Sequence, residues 1–238
     1  MAAATSRIWW TPFVKDDGLR CATPGCPNVR RCSPSQVQIW GTALSTVGVP
    51  WVMGFFHQDW SYEAGTAAEL VARRLPDGAG EYVLAVRRDA RTLLDGLPSQ
   101  TLEVLWTAGS QYGPSFRQTT GAEWTRTVVD VCDTWLSARA EVPPLTGADT
   151  EDGLDHRDEV VAEIESMGFL TAEVRRALVD CAQHCTPDLA LRILLRAVEY
   201  APDASLSEEQ YKRLEDLGSA LHYGEFVVQN VEFLVSAD

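Results

Sequence analysis

Trp124-Thr125-Arg126-Thr127-Val128-Val129-Asp130-Val131-Cys132-Asp133-Thr134-Trp135 is the stretch from which the fold class is read. Trp124, Val128, Val131, Cys132 and Trp135 recur at i, i+4, i+7, i+8 and i+11. That spacing is a wide apolar stripe on one side of a helix that buries one face. The same period extends outward in both directions. Thr66 or Ser61 caps a helix that runs to about Leu75 and stops at Pro76-Asp77-Gly78. Residues 81–94 place Val83, Val86, Ala90, Leu93 and Leu94 near one face and end at Gly96-Leu97-Pro98. Ser99 opens a helix carrying Leu102, Leu105 and Trp106, and residues 109–121 are a turn-rich connection. Four such helices close a small bundle.

Residues 139–155 read as a linker, with Pro143-Pro144, two glycines and the acidic run Asp149-Thr150-Glu151-Asp152. A second helical set follows. Val160, Val161, Ile164 and Met167 share a face, and Thr171 starts a helix with Val174, Leu178 and Cys181. Pro187 stands where a helix begins, ahead of Leu191, Leu194, Leu195 and Val198. Ser207-Glu208-Glu209-Gln210 reads as a capping box. Tyr211, Leu214, Leu217 and Leu221 continue that helix, and Phe226, Val227, Val231 and Leu234 mark the last one. Nothing reads as a paired strand. The expectation is an all-α chain: a bundle over 51–140, a linker over 141–155, and a second bundle over 156–238.

Residues 1–50 are expected to be an irregular or disordered arm. They hold Trp9, Trp10 and Trp40, three of the six cysteines, five prolines and no helical period. Arg7, Lys15, Arg20, Arg30 and Arg31 stand there against Asp16 and Asp17, whereas the whole chain has a net charge of -14. One reading of this contrast places the true start near Met53, with the upstream residues an over-long gene prediction.

Composition narrows the function classes. Hydrophobic content of 45% is ordinary for a globular protein. No apolar run approaches the roughly 20 residues that span a bilayer, and the first residues lack a charged and then apolar leader. The expected location is the cytoplasm, with the cysteines as free thiols. Residues 146–238 carry 7 bases and 20 acids. So acidic a surface repels phosphates, which argues against nucleic acid as a partner. It attracts basic proteins, although many acidic proteins are charged for solubility alone. The acids expected to face a partner are Glu151, Asp152, Asp155, Asp158 and Glu159 at the start of the second set. Glu208, Glu209, Glu215 and Asp216 join them from a later helix.

The run Phe55-Phe56-His57-Gln58-Asp59-Trp60 invites an active-site reading, because His57 and Asp59 are an acid and a base two residues apart. A catalytic pair also needs a nucleophile or metal, and the sequence places none. The plainer reading is that Phe56 and Trp60 plug the bundle while His57 and Asp59 bond helix ends. Cys21, Cys26 and Cys32 are a weak zinc candidate, since a second ligand pair is missing. Cys181, His184 and Cys185 lie within one helix, where a buried cysteine is more often a small hydrophobe than a ligand. No phosphate-loop, dinucleotide or zinc-protease motif occurs, and no cofactor is expected.

After Phe56-His57-Gln58-Asp59-Trp60 come Gly109-Ser110-Gln111-Tyr112-Gly113-Pro114 and then Gly121-Ala122-Glu123-Trp124. This order over about 55–145 resembles the CdiI-like immunity proteins of bacterial contact-dependent growth inhibition systems. The order Asp188-Leu189-Ala190-Leu191-Arg192-Ile193-Leu194-Leu195 followed by Leu206-Ser207-Glu208-Glu209-Gln210-Tyr211 is similar to MafI-like immunity proteins, over about 156–236. Both resemblances imply small helical proteins that bind and neutralise a toxin without catalysis. They imply a toxin domain as partner; the acidic charge adds the expectation that it is basic, a nuclease among the candidates, met by stoichiometric occlusion. The motif residues would then be mainly structural: Phe56, His57, Gln58, Asp59, Trp60, Gly109, Tyr112, Pro114, Gly121 and Trp124. The alternative is a metal-dependent enzyme or regulator built on His57 and Asp59 or on the N-terminal cysteines.

Overall fold

Buried leucines decide which helix lies at the centre. The helix Pro187–Tyr200 has its residues 189–198 all buried, including Arg192 and Arg196. A helix apolar on every side must be surrounded. The computed structural model describes residues 47–146, 150–223 and 225–236, and eleven α-helices occur among them. They are α1 Val49–Met53, α2 Trp60–Glu63, α3 Ala67–Arg74, α4 Gly80–Gly96, α5 Ser99–Gly109 and α6 Gly121–Ser137. After the 139–155 connection come α7 Arg157–Ser166, α8 Ala172–His184, the central α9 Pro187–Tyr200, α10 Glu208–Ala220 and α11 Glu225–Gln229. The class is all-α, as the periodicity predicts. The described residues form no strand, only an isolated bridge between Leu206 and Val235.

The helix ends follow local chemistry. Thr66, Thr171 and Thr186 each accept an N–H of the first turn of α3, α8 and α9. Pro187 occupies the first turn of α9, where its missing N–H costs nothing. The expected capping box at Ser207 and Gln210 opens α10, and a second, formed by Thr120 and Glu123, opens α6. Ser99 does not cap α5. Its hydroxyl accepts the Ala122 N–H at 3.0 Å and so fixes α6 against α5.

The helices on either side of the 139–155 connection can be told apart, but they do not stand alone. α5 packs on α8 and α9, and α1 packs on α9. One continuous apolar core includes Val86, Leu102, Leu105 and Val128 from the first set and Leu178, Leu191, Leu194 and Val198 from the second. The described residues accordingly belong to one compact unit. The sequence assigns each helix an apolar face but not which face it meets. Two bundles and one merged body satisfy the same periodicity.

The border of the expected N-terminal arm also moves. Val49, Pro50, Trp51, Val52 and Met53 are all buried, and the Trp51 ring packs on Phe55 and Tyr82. A five-residue helix starting with Val-Pro is too short to show a period, which is why Val49 and Pro50 read as arm and no helix is expected over 49–53. Residues 1–46 lie outside the described part.

A buried ionic cluster fastens α1. Asp89 of α4 is 2% exposed and Arg192 of α9 is 5% exposed. Arg192 Nη1 donates to Asp89 Oδ2 at 2.7 Å and to the Val47 carbonyl at 2.6 Å. Asp89 Oδ2 also accepts the Val49 N–H at 3.1 Å, at the N-terminus of α1. Gly48 has φ +74°, and a Cβ there would lie 1.8 Å from Asp89 Oδ2, so only glycine fits. Asp188 takes Arg192 Nη2 at 2.7 Å and the Tyr223 hydroxyl at 2.8 Å.

Two outcomes follow from this cluster. Burial alone would raise the Asp89 carboxyl, but the Arg192 guanidinium outweighs it and holds Asp89 below the usual aspartate range. A depressed acid stabilises the fold above its unfolded value of about 3.9 and loses that contribution as pH falls through its lower folded value. Asp89→Asn should remove that part of the acid sensitivity in melts against pH. Asp89→Ala leaves Arg192 buried and unpaired and should cost about 3–5 kcal/mol in denaturant unfolding. A chain beginning at Met53 should unfold at clearly lower denaturant than the full chain, because Val49, Trp51 and Val52 leave the core.

Candidate functional site

The aromatic elbow at 55–60 is built from stacked rings. Phe56 is 1% exposed and meets Trp60 and Trp124 edge-on, at centroid distances of 5.6 and 5.8 Å. Trp124 meets Trp106 at 5.6 Å, and Trp106 Nε1 donates to the Thr125 hydroxyl at 2.9 Å. Trp60 Nε1 donates to the Tyr112 carbonyl at 2.8 Å, and the Tyr112 N–H donates to the Phe56 carbonyl at 2.9 Å. The two motif segments around 56–60 and 109–114 are therefore tied to each other. Pro114 is buried at the end of that turn. Gly109 lies so close to Met53 that a Cβ would be 2.3 Å from its sulfur, and at Gly121 a Cβ would be 2.4 Å from the Ser99 carbonyl oxygen.

His57 and Asp59 do not pair through their side chains. His57 Nε2 lies 3.0 Å from Glu63 Oε1, and its Nδ1 accepts the Asp59 backbone N–H at 3.2 Å. Nδ1 as acceptor puts the proton on Nε2, facing Glu63. Arg74 takes the other Glu63 oxygen, with Nε at 3.1 Å, and Arg73 bonds the Glu63 carbonyl. Desolvation pushes the Glu63 carboxyl up, but Arg74 and then His57 together outweigh it and hold it below its ordinary range. This is a clamp of α2 on α3. The Gln58 and Asp59 side chains are exposed, and Asp59 precedes α2 without a side-chain cap. Exposed Tyr62 and Tyr112 lie on the outside of the elbow.

The cysteines of the described part behave as core residues. Burial pushes the Cys132 thiol up to about 12. The Cys181 thiol is held well above its ordinary value by its hydrogen bond with Cys185 and by burial. Cys185 Sγ lies 3.3 Å from the Thr92 carbonyl, to which it donates. His184 is exposed. Among the described residues no group of three or more His, Cys, Asp or Glu side chains is placed to hold a metal. The candidates Cys21, Cys26 and Cys32 lie outside those residues.

Glu151, Asp152, Asp155, Asp158, Glu159, Glu208, Glu209, Glu215 and Asp216 are all exposed. α7 and α10 pack side by side, and of these acids Glu159 and Asp216 line one furrow, whereas Glu215 lies by Tyr211, near Glu232. Between the two helices runs a furrow of about 590 Å³. Ala162, Leu217 and Ala220 supply apolar wall, and Glu159, Glu163, Asp216, His156 and Arg213 are the charged lining. Glu163 is buried, bonded to Arg213 Nε at 2.7 Å and to the Ser166 hydroxyl at 3.2 Å. His156 Nδ1 lies 2.7 Å from Glu159 Oε2. Asp152 turns inward by its backbone, its carbonyl accepting the Asp188 N–H at 3.2 Å. Glu163, Arg213 and the small wall residues were not singled out from sequence. Their only signal is an acid at the edge of the Val160, Ile164, Met167 face, and alanines at helical spacing are too common to mark a furrow.

Comparison with protein-family models, with curated proteins and with solved structures finds no match.

The elbow's rings and amides are engaged in packing and backbone bonds, so substitutions there should act on stability. Trp106→Ala and Trp124→Ala each remove a buried ring and should cost about 3–5 kcal/mol in urea unfolding. Trp60 is partly exposed, and Trp60→Ala should cost less than either. A larger loss at Trp60 than at Trp106 would mean that the Tyr112 carbonyl bond, not ring burial, holds the elbow.

Proposed function

We propose that this chain is a binding protein that neutralises a basic toxin-type partner by covering it, an immunity protein in kind, without chemistry of its own. The observation that carries the reading is the row of exposed acids on and before α7 and on α10, two neighbouring helices, with Glu159 and Asp216 on either bank of the furrow between them. A protein that holds phosphates presents cations, and this surface is its electrostatic complement. The order of the motifs at 56–60, 109–114, 121–124 and 188–211 is in keeping with the same role. Its residues at 56–60 and 109–124 are engaged in stacking, tight glycine contacts and backbone bonds. That accounts for them as scaffold.

The mechanism follows from the physics of charged interfaces. Long-range attraction speeds encounter, and desolvated contacts slow release. The partner's working surface is covered for as long as the complex lasts. One molecule of this chain therefore blocks one molecule of partner.

The test begins with whether a gene for a basic toxin domain lies beside this one and continues as a neutralisation titration with that domain. Protection should reach completion at a one-to-one ratio, and the association rate should fall as salt rises, because exposed charges are screened beyond about 10 Å at 0.1 M. Protection by trace amounts against excess toxin would mean turnover and would replace binding with catalysis.

A further inference from the structure

We propose that the furrow between α7 and α10 is the seat of a basic amphipathic helical segment of the partner; this rests on the binding reading above. The two helices run antiparallel. His156 and Ala220 line the same furrow, Glu163 meets Arg213, and Gln210 Nε2 lies 3.5 Å from the Ser166 carbonyl at the other end. Small side chains at Ala162, Ser166 and Ala220 leave open what would otherwise be filled by interdigitation. At 1.5 Å per residue, the ten residues of α7 give the furrow a length of roughly 15 Å. That length suits two to three turns of helix better than a compact small molecule. Two helices expose no unpaired backbone edge for an extended strand to join, whereas a third helix packs its ridge into such a groove.

The charges say which helix fits. Glu159 and Asp216 are exposed on the two banks, with Asp155 and Asp158 at one end. The one arginine that lines the furrow is engaged, Arg213 with Glu163, and His156 Nδ1 lies 2.7 Å from Glu159. Arg213 also displays the favoured chemistry, a guanidinium on a carboxylate that is nearly fully buried. The incoming helix would set apolar residues at i, i+3/i+4 and i+7 on Ala162, Leu217 and Ala220. Arginine or lysine flanking that stripe would meet Asp216 and Glu159.

The probe is a fluorescently labelled synthetic helix with a leucine stripe flanked by arginines, read by anisotropy with the full chain. Ala162→Trp and Ser166→Trp fill the furrow at exposed positions and leave every charge in place. The pair Glu159→Lys with Asp216→Lys reverses the banks. Circular dichroism melts identify which filled variant is folded, and either one suffices. Filling and charge reversal should each weaken binding by about tenfold or more, and a peptide with glutamates for arginines should not bind. If filled variants bind like the original chain while charge reversal abolishes binding, attraction is diffuse. The seat is then overturned, while the binding reading stands. If the original chain does not bind the peptide, or if neither kind of variant changes binding, the seat is overturned again, and only the toxin titration decides the function. A dimer on size exclusion that filling abolishes would assign the furrow to a second copy and overturn it too.

Discussion

The Asp89–Arg192 pair is the constraint on which the arrangement of helices depends. Its two residues lie 103 positions apart and join α4 to α9, across the connection that separates the two helical sets. The same carboxylate receives the first N–H of α1, and the same guanidinium reaches Val47. Through Asp188 the network extends to Tyr223 and to the Asp152 carbonyl. Removing two charges from water is costly, and an apolar pair of the same volume is often as stable. What an ionic pair adds is direction. Leucine faces tolerate many crossing angles, whereas a guanidinium between two carboxylates tolerates few. The hypothesis that the cluster selects this packing explains why buried charge is kept at this crossing.

The position of the acidic helices follows from that anchor. α9 is held on one side by α1 and α5 and on another by α7 and α8. α10 then lies on α7 through the Glu163–Arg213 bond and over the apolar contacts of Leu214 and Leu217. The acids of the two helices face outward because the opposite faces are needed for this packing. The aromatic elbow lies in the first set, where α2 is clamped on α3 and Trp60 is bonded to the 109–114 turn. The aromatic elbow and the acidic helices thus occupy different parts of one body.

The sequence shows its helices more plainly than their partners. The Trp124 stripe, the Thr66 cap, Pro187 and the Ser207–Gln210 box each act within a turn or two, so their meaning survives without tertiary knowledge. α1 escapes notice because Val49–Met53 is too short for a period and is held by Asp89, 40 residues away. The merging of two sets into one core escapes notice because every leucine face is equally apolar. His57 stands two residues from an acid whose side chain it does not meet, while Glu63, at the end of α2, is the acid it meets. Of the furrow, the charged rim is legible as composition. The cavity is not, since it arises from small residues on two helices whose contact no local pattern encodes.

Hydrogen exchange of the full chain with and without the arginine–leucine helix tests most directly whether α7 and α10 are the working surface and the elbow is scaffold. Slowed exchange confined to residues 157–166 and 208–220, with 56–63 and 109–114 unchanged, is the expected result. Protection centred on the elbow, or none on α7 and α10 at saturating peptide, would contradict it.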